Sequence, residues 1–376
     1  MPRRTAIALL VAAVSPACAS HERPPRGLPA AAGPEGGVRT TPVAQDASVS
    51  EAGPIDSSVP VEVASNGPAA DAAADTRFAG TVFPPAAVAP PHERSAQPGD
   101  GEWARLGDSA LGETLAAEPA VMFKTVVHPH PISKWRKLTV VAVDLRHVAV
   151  QYVPGTADIK DTKIDPSRLP FVPGLVPEED REGLLSVFNG GFKPRHGGWG
   201  MLVRSVQVVP PREDGCTVAI AVDGTVRVGP WPVIADSLED VTSYRQTPPC
   251  LLDQGALHAS LDGYNERPWG GRDPKRKTRR RSAIGIDGSG RILFYGMGEE
   301  AGPRDLANGM KAVGASSAAQ LDINWSWTRF LMFGRPQADA ELQVTSTLIP
   351  QMVHRRTGYV ARSVERDFFY LTRRSQ

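Results

Sequence analysis

The chain has 376 residues and nearly balanced charge, 42 Lys and Arg against 41 Asp and Glu, for a net of +1. That balance excludes a chain-wide attraction to nucleic acid; basic residues cluster only in Lys275-Arg276-Lys277-Thr278-Arg279-Arg280-Arg281. Of three cysteines, Cys216 and Cys250 have neither a C-x-x-C partner nor a close His, which leaves a zinc site without support.

Residues 1–19 read as an export signal. Arg3 and Arg4 precede the apolar run Ala6–Val14, which is far shorter than the ~20 residues a spanning helix needs. Two processing routes fit the following Ser15-Pro16-Ala17-Cys18-Ala19. In one, Cys18 is the lipidated first residue of a cell-envelope lipoprotein held to the membrane by its lipid. In the other, Ala17-Cys18-Ala19 is an A-x-A cleavage site that releases a periplasmic or secreted protein. The spacer that follows favours the lipid anchor, because it lets a domain stand off a membrane. Residues 20–101 form that spacer. Ala, Pro, Gly, Ser and Val dominate it, and large apolar residues are nearly absent before Phe78. Such a segment cannot bury enough apolar surface to offset its ordering entropy, so it is expected to be disordered. Residues 102–376 then read as one domain with no second linker.

Strand signals dominate that domain. Leu138–Asp144 and Val148–Val153 are β-branched runs joined by a short turn at Arg146-His147. Pro177–Leu185, with an acidic first turn, reads as a helix. Val218–Val222 and Thr225–Val228 flank Asp223-Gly224, a short-hairpin signal. A second hairpin joins Ala283–Ile286 to Arg291–Tyr295. Pro303–Val313 places Leu306, Met310 and Val313 on one helical face and ends at Gly314. Gln320-Leu321-Asp322 reads as a strand end from which a carboxylate emerges. Many hairpins and few helices predict an α+β fold: a single domain with a largely antiparallel or mixed sheet and a few packed helices. Cys216 and Cys250 remain once Cys18 is removed or acylated. In an oxidising compartment they can close a loop of about thirty-five residues, stabilising by on the order of 3 kcal/mol, or stay as two buried thiols.

Three segments set polar or glycine residues directly after apolar runs. Asn189-Gly190-Gly191-Phe192 combines a donor and acceptor with backbone that a ligand can approach closely, although N-G-G is also good turn chemistry. Arg281 stands at the start of a core strand, where a cation is costly unless paired or binding an anion. Asp322 is followed by Ile323, Asn324, Trp325, Ser326 and Trp327, polar and aromatic types that line sugar sites; the two tryptophans serve equally as core packing. His128, His130 and His196 lie in Pro- or Gly-rich loops without H-E-x-x-H spacing, so neither a metal nor another cofactor is expected.

Taken in order, these segments resemble the phosphodiester glycosidase domain family. The shared ladder is Val143-Asp144-Leu145, Asn189–Phe192, Asp223-Gly224, Pro249–Gly255, Arg281–Gly290, the Pro303–Gly314 helix and Leu321-Asp322. It covers about Leu138 to Phe333, roughly half the chain. The resemblance implies hydrolysis of a glycosyl phosphodiester in an envelope or extracellular glycan, with a glycan or sugar phosphate as partner. Arg281, with Arg279, is then expected on the departing phosphate, and Asp322 as base or nucleophile near the oxocarbenium-like centre. Asn189, Gly190 and Gly191, together with Asn324, Trp325 and Ser326, are expected to position the substrate. In one respect the chain departs from the ladder: Ile323-Asn324-Trp325 replaces a glycine triplet, with Ser326 kept. Branched and aromatic side chains cannot copy the approach glycines permit. The alternative is therefore a non-catalytic envelope module that binds anionic glycan through residues 275–281 and the tryptophans. A simple buried Arg281–Asp322 salt bridge is the remaining structural reading.

Overall fold

A computed structural model describes residues 80–107, 116–236, 238–262, 266–270, 279–337 and 339–374. The expected export signal, Cys18 and the spacer up to residue 79 lie outside the described residues, as does the basic stretch Lys275–Thr278.

Eighteen strands are described. The first nine are β1 (Ala104–Arg105), β2 (Met122–Val127), β3 (Leu138–Asp144), β4 (Val148–Val153), β5 (Leu184–Asn189), β6 (Met201–Val203), β7 (Val206–Val209), β8 (Cys216–Ala221) and β9 (Val226–Pro230). The rest are β10 (Val241–Thr247), β11 (Leu252–Asp253), β12 (Ala256–Leu257), β13 (Arg279–Asp287), β14 (Ile292–Ala301), β15 (Ala315–Ile323), β16 (Phe330–Gly334), β17 (Gln343–Thr347) and β18 (Phe368–Arg373). Four short helices are interspersed: α1 (Thr156–Thr162), α2 (Trp231–Ala235), α3 (Ala259–Asp262) and α4 (Pro303–Ala312). The strands form three sheets, ordered β1-β2-β3-β14-β13-β15-β11-β12, β17-β16-β5-β18-β4 and β7-β6-β10-β8-β9. Every strand pairing is antiparallel. The fold is thus dominated by antiparallel sheet, with less helix than an α+β label suggests.

The period-2 alternation of strands explains how the large sheet is covered on both faces. In β3, Val141 and Val143 face the main core, which also draws on the other two sheets, while Val140 and Ala142 face a second core. Leu293, Tyr295 and Met297 of β14 follow the first pattern; Ile292 and Phe294 follow the second. The second core is closed by α4 through Leu306, Ala307 and Met310, spaced for one helical face. The helix sits very close to the sheet. A Cβ on Gly309 would lie 2.4 Å from Leu138 Cδ2, and one on Gly296 would lie 2.7 Å from Met310 Sδ, so both positions need glycine.

Both expected hairpins form, as β8–β9 and β13–β14, and the α4 helix spans Pro303–Ala312. One expected helix is corrected. Pro177–Leu185 is not a helix. Only a single 3-10 turn, Glu178–Asp180, precedes β5, because Leu184–Asn189 is buried at every residue and pairs with strands on both sides. β3 and β4 are both strands, as expected, and the short turn between them passes the chain from one sheet to another. The folded region also begins earlier than residue 102. The Val88 N–H donates to Gly101 O (3.0 Å), Trp103 Nε1 donates to Ala86 O (3.1 Å), and Asp100 contacts His128 Nδ1 at 2.8 Å. Cys216 and Cys250 are joined by a disulfide with their Cα atoms 4.6 Å apart, tying the start of β8 to the segment before β11. Among the described residues no helix is long and apolar enough to cross a membrane.

Candidate functional site

Asp322 lies next to last in β15 and is nearly buried. Its backbone N–H donates to Gly190 O (2.9 Å), and its carbonyl accepts from Ser282 Oγ (3.0 Å). The carboxylate accepts from the Ile323 N–H on Oδ1 (3.0 Å) and from Arg366 Nη2 on Oδ2 (2.8 Å). Burial raises the Asp322 pKa to about 7; Arg366 opposes the rise and Asp367 adds to it. A carboxyl group poised there exchanges a proton at neutral pH.

Arg366 and Asp367, just before β18, complete the arrangement. Arg366 also donates to Gly191 O (2.8 Å), and its guanidinium lies 5.3 Å from the Trp327 ring centroid. Asp367 accepts from Arg245 Nε (2.6 Å), Tyr152 OH (3.0 Å) and the Gly191 N–H (3.1 Å). The Asp367 N–H donates to Asp158 Oδ2 (2.7 Å), and Asp158 Oδ1 lies 4.0 Å from Arg366 Nε. Three buried carboxylates, Asp158, Asp322 and Asp367, therefore share two guanidinium groups, Arg245 and Arg366. One negative charge is left over, which suits the rise of Asp158 to about 7 by burial and then by Asp367.

This network explains the N-G-G segment. The Gly190 N–H donates to Asp367 O (2.9 Å), and a Cβ on Gly190 would come within 2.6 Å of the Asp367 carboxylate. A Cβ on Gly191 would press on the Arg245 guanidinium at 3.2 Å. Both glycine amides are occupied by Asp367 and so do not point at a ligand. The Asn189 amide is fully used as well. Its Nδ2 donates to Gly190 O (3.1 Å) and Ser282 Oγ (2.9 Å), while Oδ1 accepts from Tyr295 OH (2.9 Å) and the Arg329 N–H (3.0 Å). Asn189, Gly190 and Gly191 hold Asp322 in place from behind.

Arg281 is not beside Asp322. Its guanidinium donates to Ala301 O (3.1 Å), Trp269 O (2.9 Å), Gly270 O (3.1 Å) and Gln320 Oε1 (3.0 Å). Burial pushes its pKa down to about 10. The expected Arg281–Asp322 salt bridge does not form, because the Asp322 partner is Arg366 and Arg281 is spent on backbone carbonyls.

The mouth of the site is basic and aromatic. Lys193 Nζ lies 5.7 Å from the Trp327 ring centroid, and Arg195 pairs with Asp161 at 3.5 Å. Burial, followed by the charges of Arg195, Arg366 and Lys193, pushes the exposed His196 imidazole below its ordinary value. Ile323 packs with Phe192 and Trp199, Asn324 Oδ1 accepts from Arg279 Nη1 (3.2 Å), and Ser326 O accepts from Arg329 Nη2 (2.8 Å). Trp325 is half exposed over Arg280. Asn324 has φ +81°, the left-handed conformation that glycine and asparagine tolerate, so the centre of the substituted triplet keeps glycine-like backbone. Among the described residues no three His, Cys, Asp or Glu side chains converge to hold a metal ion.

Sequence reading missed Asp158, Arg245, Arg366 and Asp367. One signal was available: Glu365-Arg366-Asp367 directly precedes the apolar run Phe368–Leu371, the same charge-before-strand pattern that singled out Arg281.

Residues 183–344 match the family described as phosphodiester glycosidase. Asp322 falls within that stretch, whereas Asp158, Arg366 and Asp367 lie outside it. No curated protein sequence matches the chain significantly. Among solved structures, the chain is similar to the catalytic domain of zebrafish N-acetylglucosamine-1-phosphodiester alpha-N-acetylglucosaminidase, auto-inhibited by its pro-peptide. That match has 14% identity and a TM-score of 0.43, covering 69% of this chain and 85% of the other. A hypothetical protein from Synechocystis matches at 12% identity and a TM-score of 0.41, covering 68% and 62%.

Proposed function

We propose that this chain, whose residues 183–344 match the phosphodiester glycosidase family, hydrolyses a glycosyl phosphodiester, with Asp322 as its base. The observation that carries the proposal is the Asp322 carboxyl, lifted to about 7, held by Arg366 beneath Trp327 and beside a mouth bearing Lys193 and His196. A phosphate is already a good leaving group, so the reaction asks for an anionic base and cationic help rather than a strong acid. Asp322 takes a proton from the attacking water as its oxygen bonds to the anomeric carbon. The bond from that carbon to the phosphate oxygen breaks, and the negative charge left on the phosphate faces the cations Arg366 and Lys193, with neutral His196 as a hydrogen-bond donor. Arg366 thus takes the role that sequence reading gave to Arg281, whose donors are committed to carbonyls. Trp327 offers a ring for sugar stacking, and the Asn324–Ser326 turn flanks it. The Cys216–Cys250 disulfide supports an oxidising, exported location for this work, in an envelope or extracellular glycan.

The test is an aryl phosphodiester of N-acetylglucosamine incubated with the protein and with Asp322→Asn. Release by the wild type alone supports the proposal. Release by both variants overturns the role of Asp322. Release by neither, with both folded, favours the non-catalytic glycan-binding module.

A further inference from the structure

The turn after β15 is gripped by three arginines that the reaction above does not use. Arg279 Nη1 reaches Asn324 Oδ1, Arg329 Nη2 reaches Ser326 O, and the Arg280 guanidinium lies flat under the Trp325 ring at 3.6 Å. Arg280 is fully buried, and its Nη2 makes one long contact to Glu299 (3.4 Å). Glu299 is itself shared with Lys137 at 3.6 Å. Among the described residues, four buried guanidinium nitrogens here have no hydrogen-bond partner: Arg279 Nε, Arg280 Nε, Arg280 Nη1 and Arg329 Nε. A buried donor on a cation is costly without an acceptor, and a bound anion can supply one. The cover over Arg280 is an indole that is half exposed and stacks on the guanidinium.

We propose that Arg280, with Arg279 and Arg329 holding the same turn, forms an oxyanion subsite that opens when Trp325 swings aside, and that its ligand is a phosphate group. A buried guanidinium whose one carboxylate, Glu299, is shared with Lys137 favours a phosphate over a neutral sugar, and guanidinium donors match its oxygens in pairs. The link to a glycan rests on the function proposed above and adds a second phosphate to the substrate, as in a chain with repeated phosphodiester links. Phosphate binding as such does not depend on turnover.

The experiment is calorimetric titration with inorganic phosphate, N-acetylglucosamine 1-phosphate and neutral N-acetylglucosamine, with tryptophan emission recorded in parallel. Wild type should bind both phosphates saturably and shift its emission, and the neutral sugar should not compete. Tighter binding of the sugar phosphate points to a glycan phosphate, and equal binding to free phosphate; both support the subsite. Arg280→Lys should weaken phosphate binding at least tenfold. Trp325→Ala, a surface change that keeps the fold, should bind at least as tightly while losing the emission shift. Asp322→Asn should lose turnover yet bind phosphate as wild type does, so that failure of hydrolysis and failure of the subsite are read separately. Absence of saturable phosphate binding in both wild type and Trp325→Ala overturns the proposal. So does a Trp325→Ala variant that binds phosphate as wild type does with its emission shift intact.

Discussion

Arg281 and Arg366 are both nearly buried arginines placed where an apolar strand begins, yet their surroundings set them to different work. Arg281 is surrounded by three backbone carbonyls and a glutamine, so its charge is absorbed by fixed dipoles and it pins residues 269–270 to the sheet. Arg366 shares its charge with Asp322 and, at longer range, Asp158, two carboxyl groups that titrate near neutrality. A buried cation answered by dipoles is scaffolding; one answered by a titrating group sets the pH at which that group acts.

Substitutions should separate the two regions. The largest effect is expected from Asp322→Asn, which should cut turnover about a thousandfold with little change in melting temperature, as measured by product release and calorimetry. Arg281→Leu strands several buried carbonyls and should cost about 3 kcal/mol in denaturant unfolding, while the pH–rate profile of what remains folded keeps its position. Arg366→Gln should do the reverse. Turnover falls about a hundredfold, and the basic form of Asp322 appears only at higher pH, because the guanidinium that holds its pKa down is gone. A profile that stays at about pH 7 in this variant would break the comparison.

The smallest effect is on stability. Asp322 and Asp158 have folded pKa values of about 7, above their unfolded values, so between about pH 4 and 7 the folded state holds more protons than the unfolded one. Their contribution to stability is therefore greatest at the acidic end of that window and declines as pH rises to 7, then levels off. Asp322→Asn should flatten that slope in a series of melting curves. Activity and stability are thus expected to prefer opposite sides of neutrality.

What sequence could reveal here follows the range of the interaction. The hairpins at Asp223-Gly224 and Asp287–Gly290, the α4 helix and the strand carrying Asp322 rest on local pattern and turn chemistry, and they were legible. The partners of β3 and β4 were not, since pairing across 147 residues, as between Asp144 and Arg291, leaves no local trace. The glycines at 190 and 191 were noticed for the right property, close approach, but assigned to a ligand. The approaching group is Asp367, 176 residues away from Gly191, and nothing near the N-G-G segment announces it. Pro177–Leu185 was misread because its acidic start mimics a helix N-terminus, whereas the buried Leu184-Leu185 pair belongs to a central strand.

The position of β18 carries a consequence for how the molecule is made. It is the last of the strands in the chain, yet it lies between β5 and β4 in its sheet. Until it arrives, those two strands expose unpaired edges, and Arg366 is not yet present to pair with the Asp322 carboxylate. Closing this sheet demands contacts of very long sequence separation, which slows folding and lengthens exposure to aggregation and proteolysis. A chain that stalls short of β18 therefore lacks Arg366 beside Asp322 and is conspicuous to quality control, so completion of the site and completion of the fold coincide.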